Sequence, residues 1–364
     1  MSWEDKVRRV VPYTPGEQPD RKNMIKLNTN ECPYPPAPQV ERALKEMDGE
    51  QFRLYPDPAA SVLVDALAEY YGLKSSEVFV GVGSDDVLAM IFMTFFNGKE
   101  PILFPDITYS FYDVWAELLK IPYEQIPLND DFHIVKEDYL GGKEGKGRKN
   151  GGIIFPNPNA PTGVLVDLAF IEEIVSANPD VIVVVDEAYI DFGGKSALPL
   201  IHKYDNLLVV QTFSKSRAMA GMRIGYAMGN EKLIKYLNDV KFSFNSYTMN
   251  RPALTAGVEA VKADDYFKET VARIMATRER VKVELKKLGF TFQDSMSNFI
   301  FATHPKLNMT KLFEDLRKKD IYVRHFSSER IRNYLRITIG TDEEMDTLLE
   351  FLRDYIKYNF SESQ

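Results

Sequence analysis

The sequence predicts an α/β protein with a mostly parallel sheet buried on both faces, followed by a smaller α+β unit. Three observations point there. Between residues 78 and 228, short apolar runs bounded by turn residues alternate with stretches of helical periodicity, the pattern of parallel βα units. One run, Val181-Ile182-Val183-Val184-Val185, is too uniformly apolar for a half-exposed strand and fits a central one. A long amphipathic stretch then spans residues 264–288, with Phe267, Val271, Ile274, Met275, Val281 and Leu285 on one face and Gly289 as its stop.

In the first part, strands are expected at 78–80, 101–104, 123–126, 153–155, 181–185, 207–211 and 223–228. Helices are expected at 59–71, 85–96, 168–177, 231–242 and 248–262. Beyond the long helix, short strands at 290–292, 299–302, 321–323 and 335–339 interleave with helices at 309–319 and 343–358, a compact α+β pattern. At 364 residues the chain is long for one core, which suggests two domains. The division placed on it is an arm at 1–45, rich in proline and polar residues, a large domain at 46–265 and a small domain at 266–364. The glycine-rich basic stretch 141–152 does not run from a strand into a helix, so it reads as a surface loop and not a phosphate loop.

Composition narrows the function. With 45% hydrophobic and 27% charged residues, and no apolar run of membrane-spanning length, the chain reads as soluble. Its N-terminus has no signal-peptide pattern and its single cysteine, Cys32, leaves no intrachain disulfide, so a reducing cytoplasmic setting is expected. A net charge of -8 argues against nucleic acid or an anionic membrane as partner, while leaving room for a local basic pocket and small anionic ligands. The four histidines show no paired metal-ligand spacing, and no metal is expected.

Three segments carry candidate chemistry. Lys215 stands just past an apolar strand between Ser214 and Ser216, with Arg223 eight residues on, which suits a Schiff-base amine beside a bound phosphate. Alone, it would read better as an ordinary loop lysine. Asp186 ends the most apolar strand, where an open α/β sheet usually binds its ligand. Burying its charge there is costly without a cation, and the protonated pyridine nitrogen of a pyridoxal cofactor is one. Gly81-Val82-Gly83-Ser84-Asp85 ends a strand and opens a helix, offering free amides and a hydroxyl to an anion. By itself this is a capped turn, but with Ser214 and Arg223 it makes a phosphate cup.

These segments occur in a recognisable order. Pro12-Tyr13, Lys26-Leu27-Asn28-Thr29-Asn30-Glu31, Arg53-Leu54-Tyr55-Pro56-Asp57, Gly83-Ser84-Asp85 and Pro105-Asp106-Ile107-Thr108-Tyr109 come first. Asn157-Pro158-Asn159-Ala160-Pro161-Thr162-Gly163, the Asp186 and Lys215 segments, and Tyr334-Leu335-Arg336-Ile337-Thr338-Ile339-Gly340 follow. Over nearly its whole length the chain resembles the fold-type I aminotransferases, and within them the histidinol-phosphate aminotransferase family.

The resemblance implies a mostly parallel seven-stranded sheet between helix layers, pyridoxal 5'-phosphate as cofactor, and a homodimer with shared sites. It implies that Lys215 carries the cofactor and moves the proton, that Asp186 pairs with the ring nitrogen, and that Tyr189 hydrogen-bonds the ring 3-oxygen. Tyr109 would stack on the ring. Ser84, Asp85 through its backbone, Ser214 and Arg223 would hold the phosphate, and Tyr55 would reach the neighbouring subunit's cofactor. Relatives usually carry asparagine where this chain has Ala160, so Asn159 is assigned to the ring contact in its place. Arg336 and Arg324 would grip substrate carboxylate or phosphate, with Tyr13 and Asn30 as further substrate contacts. The implied reaction transfers an amino group between histidinol phosphate and glutamate. A related aromatic aminotransferase or a threonine-phosphate decarboxylase would need the same cradle.

Overall fold

The computed structural model describes residues 2–141 and 148–361. The centre of the glycine-rich stretch, 142–147, lies outside the described residues.

Two sheets organise the chain. The larger has seven strands: β2 (Val78–Gly81), β3 (Ile102–Pro105), β4 (Tyr123–Ile126), β5 (Gly152–Pro156), β6 (Val183–Asp186), β7 (Leu207–Thr212) and β8 (Gly225–Gly229). Their order is β2-β8-β7-β6-β5-β3-β4, and only β8 runs antiparallel to its neighbours. The smaller sheet joins β1 (Ile25–Leu27) to β9 (Thr291–Phe292), β10 (Phe299–Thr303), β11 (Ile321–His325) and β12 (Leu335–Thr338) in the order β1-β11-β12-β10-β9. There β1 pairs parallel with β11 and the remaining pairs are antiparallel.

Val183, Val184 and Val185 have no exposed surface, and they divide between two cores. Val183 and Val185 pack with Ile171, Ile174 and Leu63 on one face, and Val184 packs with Ile91, Phe92 and Trp115 on the other. Period-two alternation is therefore present, but both faces are apolar, which is why the strand reads as a continuous run. Each such valine contributes roughly 1.5–3 kcal/mol of burial, enough to fix the register that brings Asp186 to the strand end.

The predicted strand at 181–185 begins two residues later, because Val181 and Ile182 are only half-buried, and it ends on Asp186. The strand expected from residue 223 starts at Gly225, since Arg223 has a left-handed backbone (φ 53°) that no strand accommodates. Two helices were not foreseen. Pro38–Lys45 lies in the proline-rich arm, with Pro38 in the first turn, where a missing N–H costs nothing. Tyr112–Leu119 is too short for its period to stand out. The long helix runs Asp264–Lys287 and ends before Gly289, which takes the left-handed conformation (φ 85°). Among the described residues no helix is long and apolar enough to cross a membrane, and none of their His, Cys, Asp and Glu side chains cluster as metal ligands would.

Candidate active site

Strands β5, β6 and β7 end together, at Pro156, Asp186 and Thr212, beside β3, where the strand order reverses. Ligands of open α/β sheets bind at that edge. A cavity of about 170 Å³ opens there, lined among others by Ser84, Tyr109, Asp186, Tyr189, Lys215 and Arg223. A second, of about 270 Å³, shares Tyr109, Tyr189 and Lys215 and adds Tyr13, Asn30, Arg324 and Arg336. A larger depression of about 700 Å³, at Ile182 and Asn206, lies at the opposite, amino edge of β6 and β7.

Lys215 projects between the two cavities. Its Nζ donates to the Thr29 carbonyl at 3.0 Å and lies 5.9 Å from the centre of the Tyr189 ring. The loop carrying it is pinned by backbone bonds from Phe213 to Ile224 and from Met219 to Phe213, both 3.0 Å, so the amine leaves a rigid base.

Asp186 is the buried acid, only 4% exposed. Its carboxylate accepts from the Tyr112 hydroxyl at 2.9 Å and from the Ala188 amide at 3.2 Å. Burial outweighs both bonds and raises its pKa from 3.8 to about 6. Tyr189 is held by Asn30, whose amide donates to the Tyr189 hydroxyl at 2.9 Å while its own oxygen accepts from Thr338 at 3.0 Å.

Ser84 and Asp85, in the first turn of the helix Gly83–Phe95, line the cavity, where a helix start has amides without partners in the helix. Arg223 stands over this turn and donates to Ser214 Oγ at 3.3 Å and to the Asp85 carboxylate at 3.2 Å. Asp85 also accepts from the Tyr109 hydroxyl at 2.6 Å, so its side chain is engaged here. Burial, reinforced by the Asp85 charge, raises the Tyr109 pKa and keeps its hydroxyl a donor. Gly83 suits the turn because its φ is 83°, and a Cβ there would force the Arg223 guanidinium to move.

At the far end, Arg324 and Arg336 face each other in register across β11 and β12. Arg336 donates to the Asn28 carbonyl at 2.9 Å, but its buried Nε has no hydrogen-bond partner. Burial lowers its pKa, and the neighbouring Arg324 charge adds to the effect. Tyr13 closes this side by stacking on Phe111, 4.1 Å between ring centres.

Two assigned residues lie outside the cavities. Asn159 is turned away: its amide donates to the Ile107 carbonyl at 2.9 Å and to Thr162 Oγ1 at 3.0 Å, stapling the loop, while Ala160 lines the cavity. Both donors of the amide are thus used within the loop, while among the described residues its buried Oδ1 has no hydrogen-bond partner. Tyr55 is 78% exposed and stacks on Tyr247, 4.7 Å away. Sequence reading missed Tyr112, the donor to Asp186. Its only signal was its place three residues after Tyr109.

A family model described as aminotransferase class I and II matches residues 22–352. Histidinol-phosphate aminotransferase from Lactococcus lactis subsp. cremoris (strain SK11) is 51% identical over 357 residues, covering 98% of each chain. The enzyme of that name from Brachyspira hyodysenteriae (strain ATCC 49526 / WA1) is 52% identical over 354 residues, 97% of this chain and 98% of its own. Among solved structures, histidinol-phosphate aminotransferase from Sinorhizobium meliloti in complex with pyridoxal-5'-phosphate superposes with a TM-score of 0.81. It covers 93% of this chain and 92% of its own at 24% identity, a likeness of fold: that of a fold-type I aminotransferase. The chain belongs to the class I and II aminotransferases, in their histidinol-phosphate aminotransferase family.

Proposed function

We propose that this chain binds pyridoxal 5'-phosphate and transfers the amino group of L-histidinol phosphate to 2-oxoglutarate, giving imidazole acetol phosphate and glutamate in histidine biosynthesis. The observation that carries the reading is the buried Asp186 carboxylate, paired with no cation among the described residues, in one cavity with Lys215 and Arg223. A carboxylate that burial discourages from ionising becomes favourable to ionise against a cationic ring nitrogen, so these residues fit the cofactor.

When bound, the cofactor supplies an electron sink for the carbanion left as the substrate carbon loses its proton. The chain supplies the rest. Lys215 Nζ is the amine that would hold the cofactor and, once free, the base that takes the proton from the substrate carbon. Asp186 would face the ring nitrogen, Tyr189, oriented by Asn30, would face the ring oxygen, and Tyr109 would cover the ring. Ser84, the amides of the Gly83–Phe95 helix, Ser214 and Arg223 would hold the phosphate. Arg324 and Arg336 would bind the substrate's phosphate or, in the second half-reaction, its carboxylate.

We further take the active unit to be a homodimer in which Tyr55 serves the partner's site. Its exposure, its place outside the lining of its own cavity and the exposed Phe52, Leu54 and Tyr247 around it support this. The arm 1–45, joined through β1 to the small sheet, the cofactor domain 46–265 and the small domain 266–364 are the corresponding division, in a cytoplasmic enzyme. The test is a substrate panel on purified protein. Glutamate formation from 2-oxoglutarate is expected with histidinol phosphate as donor. Preference for phenylalanine, or carbon dioxide release from threonine phosphate, would replace this substrate assignment.

A further inference from the structure

Tyr112 is the first residue of the helix Tyr112–Leu119 and has no exposed surface. Its ring is boxed in by other aromatic rings, with centres 5.8 Å away at Phe104 and Tyr109, 6.3 Å at Phe92 and 6.4 Å at Trp115. That packing leaves the hydroxyl one direction, toward Asp186 Oδ2 at 2.9 Å. The other carboxylate oxygen has only a backbone donor, Ala188 N, at 3.2 Å. Among the described residues these are the two hydrogen bonds that Asp186 accepts through its side chain. The Asp85 charge opposes its ionisation, and no cationic side chain pairs with it.

We infer that Tyr112 is a positioning residue for Asp186: its phenol holds the carboxylate ionised and aimed into the cavity, and so sets how tightly the protein grips a cationic ring nitrogen. The physical basis is the asymmetry of buried hydrogen bonds. A neutral donor on a buried carboxylate stabilises the charged form alone, and removing it leaves an oxygen that water cannot reach. Tyr112 itself remains a donor at every working pH, since burial first, and the Asp186 charge next, push its own pKa well up. The inference rests on the cofactor reading above, and deepens it.

The test compares cofactor-free wild type and Tyr112→Phe for binding of pyridoxal 5'-phosphate and of its 1-deaza analogue, which keeps the aldehyde and phosphate but has carbon in place of the ring nitrogen. Wild type should prefer the true cofactor. Tyr112→Phe should lose roughly 10- to 100-fold in affinity for the cofactor and no more than about twofold for the analogue, so the preference collapses. Equal losses on both ligands would make Tyr112 a packing residue and overturn the inference, as would no loss on either. A wild type with no preference would instead undercut the role of Asp186 in the cofactor reading, a distinct result. Should Tyr112→Phe fail to fold, 3-fluorotyrosine at position 112 keeps the ring with a more acidic hydroxyl. The preference should then rise, and an unchanged preference overturns the inference.

Discussion

Replacing Asp186 by asparagine should stabilise the cofactor-free protein while disabling it. The carboxyl titrates at about 6 in the fold against an ordinary 3.8, because burial penalises its charge more than Tyr112 and Ala188 help it. Between those values the folded chain holds a proton that the unfolded chain has released, so stability falls as pH rises from about 4 to 6 and stays reduced above. About two pH units at roughly 1.4 kcal/mol each give a penalty of about 3 kcal/mol at pH 8. Asparagine keeps the shape without the charge. Cofactor-free Asp186→Asn should therefore melt roughly 3–6 °C above wild type at pH 8 and level with it near pH 4. Glu187, buried beside it and raised to about 7, titrates in the same range, but it is present in both proteins and cancels in the difference. Thermal melting of both proteins across pH 4–8 decides the matter: a variant no more stable than wild type at pH 8 refutes the claim that Asp186 sits strained until a cation arrives.

Three further outcomes follow from the same geometry. Gly83→Ala, forced to a φ of 83° with its methyl against Arg223, should lower cofactor affinity at least about tenfold, read by absorbance titration. Arg336→Ala should lower kcat/KM for histidinol phosphate by roughly 100- to 1000-fold yet leave the cofactor-free melting temperature unchanged or higher, because it removes a half-buried cation whose buried Nε is unpaired. Mixing Lys215→Ala with Tyr55→Ala subunits should restore activity that neither shows alone, since the mixed dimer holds one intact site. Failure of subunit-exchanged dimers to regain turnover would refute a shared site.

Local pattern showed the strands around the site because their side chains bury on both faces, and the run ending at Asp186 could be read without knowing its neighbours. The residues that depend on distant partners were another matter. Asn159 was assigned to the ring because sequence cannot show which way a loop amide turns, and its partner Ile107 lies 52 residues away. Tyr112 was overlooked because an aromatic residue at a helix start looks like core, and here it is core that also donates to Asp186 across 74 residues. Strand β1 escaped notice for a related reason. Three residues show no period, and its stability comes from pairing with Ile321, Tyr322 and Val323 at the other end of the chain.

The paired arginines show why a chain of net charge -8 can still recruit anions. Like charges directly opposite on antiparallel strands repel, and Arg324 and Arg336 are such a pair, both half-buried. Among the described residues no carboxylate side chain neutralises them: Arg336 hydrogen-bonds a carbonyl, and both guanidiniums lie over the Phe326 ring, 5.6 and 5.7 Å from its centre. A fold that needed only stability would gain by replacing either residue, because the repulsion and the desolvation both count against it. Both costs are reversed when a phosphate or carboxylate lies between the guanidiniums. In a low-dielectric cleft the local field, and not the net charge, then determines what enters. Asp186 is strained for a cation and the arginine pair for an anion. A substrate whose amine reached Lys215 while its phosphate stayed at Arg324 and Arg336 would relieve the second strain as the proposed cofactor would relieve the first.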